Sequence, residues 1–443
     1  MNVRRAMAAL TLIVCALATS ARAEVYDLER SIDLALKTST NVGISTEQLQ
    51  TARSGVVRSY AEFMPNLSMS AWAGHSFAGP STGVFVDAQG RPVQPSGFDY
   101  EAYTFGLQSQ MRLFDWGANL NGLSQSKRNA DAAAHNLEYT RDVIRAIVIR
   151  EYYDLVRQRR LLEVQEADLE AKTRNLEQVE AFYKIGSRTK ADFLQARVDK
   201  ANSQLNLLNV KNAEAIAAAR LKSRLNIPQE QPIEVDKSIE FTPGTYDATT
   251  EIDHMFQNRS DLLAGRQQIE AASAGVSVAK KGRYPTLDAS FSYSWNDRAF
   301  PTDGAVFKRD YVWSVGVFFG WNIFDRFQSR AAIQQAKAEY RIAEYNLQQA
   351  KIDAVLDVKQ IMLNLDQARE RLDLAEETVA AAEENNRLAQ ERYRVGAGTI
   401  LETIEASASL TQAQASLIDA RVDYLINRAD LQRATGRQIT TTN

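Results

Sequence analysis

Two stretches of this chain, residues 123–185 and 328–395, contain neither glycine nor proline. Nothing in either one interrupts a helix. At about 1.5 Å per residue, each predicts a single helix roughly 95–100 Å long, several times the ordinary globular length. A helix of that length cannot be wrapped in one small core and must find partners along a line. The residues supply that line. Val148, Leu155, Leu162, Leu169, Leu176 and Tyr183 follow at seven-residue steps, and Val358, Leu365, Leu372, Val379, Asn386 and Tyr393 do the same. A sustained seven-residue spacing means coiled-coil packing. Alanine is frequent beside it, at 132–134, 217–219 and 380–382, which lets helices approach closely. The remaining faces are rich in Glu, Lys, Arg and Gln and suit water. Each run stops at a glycine, Gly186 or Gly396. A shorter helical stretch then returns, 187–227 before Pro228 and 399–435 before Gly436.

The two long runs belong to two copies of one unit. Early in each copy the offset is 220 residues: Ile32-Asp33 matches Ile252-Asp253, and Met64-Pro65-Asn66-Leu67 matches Tyr284-Pro285-Thr286-Leu287. Later it is 210: Phe114-Asp115 matches Phe324-Asp325, and Tyr183-Lys184-Ile185-Gly186 matches Tyr393-Arg394-Val395-Gly396. Thr189, Asp192 and Ala196 match Thr399, Glu402 and Ala406. The change of offset falls in a loop, so the rest stays in register.

Between these landmarks the period is two. Leu67, Met69, Ala71, Ala73 and Phe77 share one parity, as do Tyr103, Phe105, Leu107, Met111 and Leu113. In the second copy Leu287, Ala289, Phe291, Tyr293 and Trp295 alternate with Asp288, Ser290, Ser292, Ser294 and Asn296. Tyr311, Trp313, Val315, Val317, Phe319 and Trp321 alternate with mostly small and polar residues, Val312 and Phe318 excepted. Such alternation over about ten residues is the pattern of a tilted membrane-barrel strand, apolar outward and polar inward. Trp295, Trp313 and Trp321 lie near strand ends, where an aromatic girdle sits. Four strands cannot close a barrel, and open edges are not tolerated in lipid. A membrane reading therefore forces oligomerisation. Two subunits would give eight strands, a width side chains tend to fill, while three would give twelve and leave a lumen; the geometry favours three.

The N-terminus predicts an exported chain. Arg4 and Arg5 precede an apolar run at 6–18 and a small-x-small site, Ala21-Arg22-Ala23. Cys15, the only cysteine, lies inside that signal, so the mature chain has no thiol chemistry. The formal charge of −3 becomes more negative once the signal's arginines are removed, which argues against nucleic-acid binding. His75, His135 and His254 show no metal-ligand spacing, and neither a nucleophile elbow nor a phosphate-binding glycine loop is readable, so no cofactor and no enzyme activity are expected. The expected organisation is a signal peptide at 1–23 and a first repeat at 24–228, with its β-hairpin at about 65–114 and its helical hairpin at about 115–227. A linker at 229–247 follows. A second repeat at 248–436 has its hairpins at about 285–324 and 325–435, and a tail covers 437–443. Each repeat reads helix–strand–strand–long helix–return helix. Asp115 and Asp325 stand at the strand-to-helix crossovers and suit helix N-capping.

These features together resemble the TolC-like outer-membrane efflux protein family, whose members serve tripartite efflux or type I secretion. The most specific stretches are Tyr393-Arg394-Val395-Gly396-Ala397-Gly398-Thr399, the Phe-Asp crossovers and Tyr424-Leu425-Ile426-Asn427. The resemblance implies a mainly α protein with a membrane β-barrel: a homotrimer with one twelve-stranded barrel in the outer membrane, facing lipid, and a coiled-coil helical tunnel in the periplasm. It also implies a periplasmic adaptor and an inner-membrane pump as partners, and a passive duct for either small molecules or secreted protein. It places Glu402 and Glu405 where the family has inward acidic rings, which favour cations and resist anions. Tyr393 and Asp192 fall where a tyrosine and an aspartate help latch the helices. Gly398 departs from the family by standing where a latching arginine often occurs, while Arg188 holds the equivalent place in the first copy. The adaptor-docking turns are Gly186-Ser187 and Gly396-Ala397. The competing expectation is a periplasmic coiled-coil adaptor or scaffold, which would have one helical hairpin rather than two.

Overall fold

The computed structural model describes residues 24–80, 85–93, 97–239, 244–302 and 304–437. The expected signal peptide and the tail from 438 onward lie outside these.

The first copy begins with a short strand β1 (Glu24–Tyr26), followed by two short helices, α1 (Leu28–Thr38) and α2 (Thr40–Ala61). The second copy has the corresponding pair, which we label α5 (Ala248–Asn258) and α6 (Ser260–Lys281). The sequence predicts one helix at each place. The break comes at Ser39 and Arg259, whose backbones turn extended, with ψ of 122° and 119°. Both pairs are started by the same device. The Asp27 carboxylate accepts the Arg30 amide, and Asp247 accepts that of Thr250.

In the first copy there follow β2 (Asn66–Ala78), a small ribbon β3 (Phe85–Val86) and β4 (Pro92–Val93), β5 (Phe98–Phe114), α3 (Ala118–Lys184), α4 (Lys190–Leu225) and β6 (Ile233–Val235). The second copy continues with β7 (Thr286–Asp297), β8 (Tyr311–Gly320), α7 (Gln328–Arg394) and α8 (Ile400–Thr435). Helices α3 and α7 are both 67 residues long and unbroken. The chain divides into two compact units, and the division cuts across the duplication. One unit is Gln48–Ala133 with Ala264–Leu347; the other comprises the described residues before Gln48, Ala134–Leu263 and those from Gln348 onward.

The first unit holds an antiparallel sheet in the order β2-β5-β7-β8. Its register collects the alternating residues onto single faces. Leu67 pairs with Ser109, Ser109 with Phe291 and Phe291 with Val315, while Ala71, Phe105, Trp295 and Tyr311 form a parallel row. The opposite face is polar: Arg112 meets Asp288 at 2.7 Å, and the hydroxyls of Ser292 and Ser314 lie 2.8 Å apart. One expected position moves. A bulge between Arg112 and Phe114 sets Phe114, rather than Leu113, opposite Leu287, because the extra residue shifts the alternation by one. Strands β2 and β8 are the two edges, each with a single neighbour among the described residues.

The crossovers are built as the sequence predicts. The Asp115 carboxylate accepts the amides of Gly117 and Asn119 at 2.9 and 2.8 Å, and Asp325 accepts that of Ser329 at 2.7 Å. The reversal needs left-handed backbone, found at Trp116, Arg326 and Phe327 with φ of 60°, 53° and 65°. Tryptophans pin these corners. Trp116 Nε1 donates to the Pro285 carbonyl, and Trp321 Nε1 to that of Arg283.

In the second unit β1 pairs in parallel with β6, so the expected linker contains a strand. Arg159 donates to the Ile233 carbonyl at 2.6 Å, and the Tyr152 hydroxyl to that of Asp236 at 3.2 Å. The predicted heptads are buried at Val148, Leu155, Val358, Leu365, Leu372 and Tyr393, while Tyr183 is 38% exposed. A second seam of small residues runs beside them. Ala354, Ile361, Ala368, Ala375, Ala382 and Ala389 are buried at seven-residue steps on α7, and Ala406, Ala413 and Ala420 on α8. Ala375 and Ala420 pack together with Leu372 and Leu417. Methyl-sized contacts let the two helices lie close over many turns. Ala420→Leu is expected to destabilise this seam by about 1–3 kcal/mol through overpacking, and Ala420→Ser by much less. Thermal unfolding of the detergent-solubilised protein followed by circular dichroism checks the order.

Candidate functional site

The candidate site lies at the two helix-to-helix turns of the second unit. Each long helix ends in the same glycine-dependent cap. Gly186 and Gly396 adopt φ of 76° and 79°, a conformation that costs a side-chain-bearing residue but not glycine. The Gly186 and Ser187 amides donate to the carbonyls of Tyr183 and Phe182, and those of Gly396 and Ala397 to Tyr393 and Arg392. The next helix starts at a threonine cap in both copies, Thr189 over Asp192 and Thr399 over Glu402. The expected docking residues Gly186, Ser187, Gly396 and Ala397 are exposed, and beside them Ile185 and Val395 present bare aliphatic side chains, 75% and 69% exposed.

Between the turns Tyr393 is buried, packed with Val179, Ala196 and Ile400. Arg188, from the other turn, covers it. Its guanidinium carbon lies 4.1 Å from the ring centroid, and its Nη2 donates to the Tyr393 carbonyl at 3.0 Å. One arginine thus ties the tip of the first copy to that of the second by charge–quadrupole attraction and a charge-assisted hydrogen bond. Burial pushes the Tyr393 hydroxyl above its ordinary range, with the Arg188 charge opposing and Asp192 adding to the rise. Among the described residues the hydroxyl itself has no hydrogen-bond partner.

Asp192, expected to act with Tyr393, is engaged elsewhere: its carboxylate accepts the Thr189 amide in a capping box. It reaches Tyr393 through its field. Glu402 sits on the first turn of α8, 3.7 Å from the Arg392 guanidinium, and Glu405 is exposed. The space at Gly398 is tight. A Cβ there would lie 3.1 Å from both Arg392 Cβ and Glu402 Oε2, so a side chain requires those neighbours to give by a few tenths of an ångström.

The sequence reading missed a buried polar tie below the turns. Lys172 meets Asp199 at 2.9 Å, and the Asp168 carboxylate accepts the hydroxyls of Ser203 and Thr411 at 2.6 and 3.1 Å. Asp168 therefore joins α3 to both α4 and α8. The available signal was a matched four-residue spacing, 168 to 172 on one helix and 199 to 203 on its antiparallel neighbour. Among the described residues no cluster of metal-binding side chains occurs, and no helix is long and apolar enough to cross a membrane.

Two blocks of the chain, residues 31–226 and 252–437, match the sequence profile of the outer membrane efflux proteins, one block for each copy. The chain belongs to the outer membrane efflux protein family. It is 27% identical over 415 residues to protein CyaE of Bordetella pertussis, covering 91% of this chain and 81% of that one. To outer membrane protein TolC of Vibrio cholerae it is 23% identical over 325 residues, covering 71% and 72%. Solved structures share the fold. The outer membrane protein VceC of Vibrio cholerae superposes with a TM-score of 0.77 at 20% identity, covering 93% of this chain and 97% of that one. The Campylobacter jejuni CmeC channel gives 0.78 at 18%, covering 94% and 87%. The chain is thus an outer-membrane protein of this family, with its helical portion periplasmic.

Removing the Arg188 contacts should loosen the tip. Arg188→Ala is expected to cost about 2 kcal/mol of tip stability and to raise the fraction of time the channel conducts in planar bilayers, with Arg188→Lys in between because it keeps the charge but not the fork.

Proposed function

We propose that three copies of this chain form an outer-membrane exit duct that passively conducts substrates from a periplasmic adaptor and an inner-membrane pump to the outside. The observation that carries this reading is the four-stranded sheet with two open edges. Its apolar face suits lipid and its polar face suits a water-filled lumen. Pairing β8 of one copy with β2 of the next satisfies every edge only in a closed ring, and three copies give twelve strands, wide enough for a lumen. The helical unit supports self-association as well. Val198 and Leu205 on α4, and Leu356 and Leu363 on α7, are exposed at seven-residue spacing on the single chain, and a second copy is the natural cover for such stripes.

In this trimer the tips form the periplasmic entrance. Arg188 over Tyr393 holds each entrance segment closed, with Asp192 shaping the turn. Glu402 and Glu405 stand threefold around the entrance and favour cations over anions. The exposed turns at Gly186-Ser187 and Gly396-Ala397, with Ile185 and Val395, are the surface an adaptor would grip. Energy comes from the pump.

The purified protein is expected to run as a heat-modifiable trimer from outer-membrane fractions and to conduct ions in planar bilayers. A soluble periplasmic monomer that needs no detergent would sink the reading. With the duct in hand, Glu402→Gln combined with Glu405→Gln should shift the reversal potential in a salt gradient toward weaker cation preference. An unchanged potential removes both residues from the entrance ring.

A further inference from the structure

The loop between β7 and β8 does not stand clear of the sheet. After Asp297 the chain turns back over the apolar face. The Phe300 ring lies edge-on to Tyr103 at 5.6 Å, and that of Phe307 edge-on to Phe105 at 6.3 Å and tilted against Tyr293 at 6.2 Å. The Tyr293 hydroxyl donates to the Val306 carbonyl. A single 3-10 turn, Ala305–Phe307, presents Phe307, and it is bracketed by left-handed backbone at Gly304 and Asp310. Tyr103, Phe105 and Tyr293 all belong to the apolar face, by register. Trp295, in the row between Phe105 and Tyr311, is only 1% exposed, and its Nε1 has no partner among the described residues. The sequence reading placed Trp295 in the aromatic girdle, but on the folded chain it is covered.

Two phenylalanines are exposed on that same side instead. Phe300 and Phe307 touch the face yet remain 66% and 70% exposed. Lys308 and Arg309 follow at once and are also exposed; Arg309 is 4.0 Å from Asp310. The loop between β2 and β5 is built differently. Its turn at 87–91 closes on the Asp87 carboxylate, which accepts the amides of Gln89 and Arg91. The β7–β8 loop continues the lipid-facing band and carries two cations, the order of groups met on passing from acyl chain to headgroup.

We propose that the β7–β8 loop is a lipid-headgroup anchor, with Phe300 and Phe307 seated at the boundary between headgroups and acyl chains and Lys308 and Arg309 bound to phosphate groups of an anionic outer-leaflet lipid. The proposal rests on the outer-membrane duct reading, which supplies the lipid on this face. Cations near an anionic surface gain from it within a Debye length, and the aromatic pair fixes the depth at which they act.

The test uses the mature chain, which lacks cysteine. Phe307→Cys and, separately, Phe300→Cys are labelled with an environment-sensitive fluorophore, with Gln89→Cys as the aqueous control. Each is reconstituted as the full trimer in vesicles of phosphatidylcholine, with and without a phosphorylated glycolipid (lipid A). The loop probes are expected to be quenched several-fold more by headgroup-proximal nitroxide lipids than by aqueous iodide, with the reverse order at position 89. Lipid A should deepen the nitroxide quenching, and Lys308→Gln combined with Arg309→Gln should abolish that increment. Both loop probes being iodide-quenched like the control overturns the anchor. Equal signals with and without lipid A overturn the phosphate contact. Trimer formation and conductance are measured on the same labelled samples. Their loss at all three positions, Gln89→Cys included, sinks the duct reading, whereas a conducting trimer with water-exposed loop probes sinks only the anchor.

Discussion

A strand at the edge of a sheet carries a row of amides and carbonyls that must be bonded to something, and inside hydrocarbon nothing but another strand will serve. β2 and β8 are such edges. A four-stranded sheet with an apolar face is therefore an incomplete object, and much else in the chain is organised around its completion. The duplication supplies two hairpins per chain, the closed ring multiplies them, and the alternation separates a lipid side from a water side. The crossovers at Asp115 and Asp325 then convert strand to helix in a few residues, with carboxylates bonding the amides that a new helix leaves free. Once a ring of strands is fixed, helices leaving it must run side by side for a long way, and only close-packing residues along one line make that stable. The alanine seam on α7 and α8 meets that requirement.

What could be read from the sequence alone was whatever repeats. The long helices, the seven-residue seams, the alternating strands and the glycine turns at 186 and 396 all appear as periodicity or as its interruption. The helix caps were legible because an aspartate before a helical run has one common use. Other features depend on how distant residues meet. The bulge that exchanges Leu113 for Phe114 leaves no trace in the alternation of a single strand. Trp295 has the sequence position of a girdle residue, yet on the folded chain it is buried. Asp192 falls where the family places a latching aspartate, and the capping bond its carboxylate accepts from the Thr189 amide is visible only in the folded turn. The break at Ser39 follows a helical pattern that continues straight through it. Lys172 and Asp199 lie on different, antiparallel helices, and no pattern within either helix announces that they meet.

The two copies agree in scaffold and part where chemistry is concentrated. Arg259 is buried with Asp261 and Asp357, and Arg433 meets the same Asp357. The offsets place Ser39, Asn41, Ile147 and Ser223 at the corresponding positions of the first copy, where no charge is found. Glu251, buried against Arg437, corresponds to Ser31. Buried ion pairs of this kind add little net stability, but they penalise wrong partners heavily. A duplicated chain needs that discrimination, because α1 and α5 would otherwise be offered two similar docking sites. The tips part as well: Arg188 corresponds to Gly398, where the space beside Arg392 and Glu402 is tight.

The short parallel pairing of β1 with β6 has a consequence for the order of assembly. Its three residues, Glu24–Tyr26, bond to a segment about two hundred residues further on, Ile233–Val235. Bringing such ends together is slow, because the loop between them must be closed first. β1 therefore finds its partner only after the whole first repeat is available, which makes this small pairing a late step in folding the second unit and leaves the seat of Tyr26 to be completed by residues from the far end of that repeat.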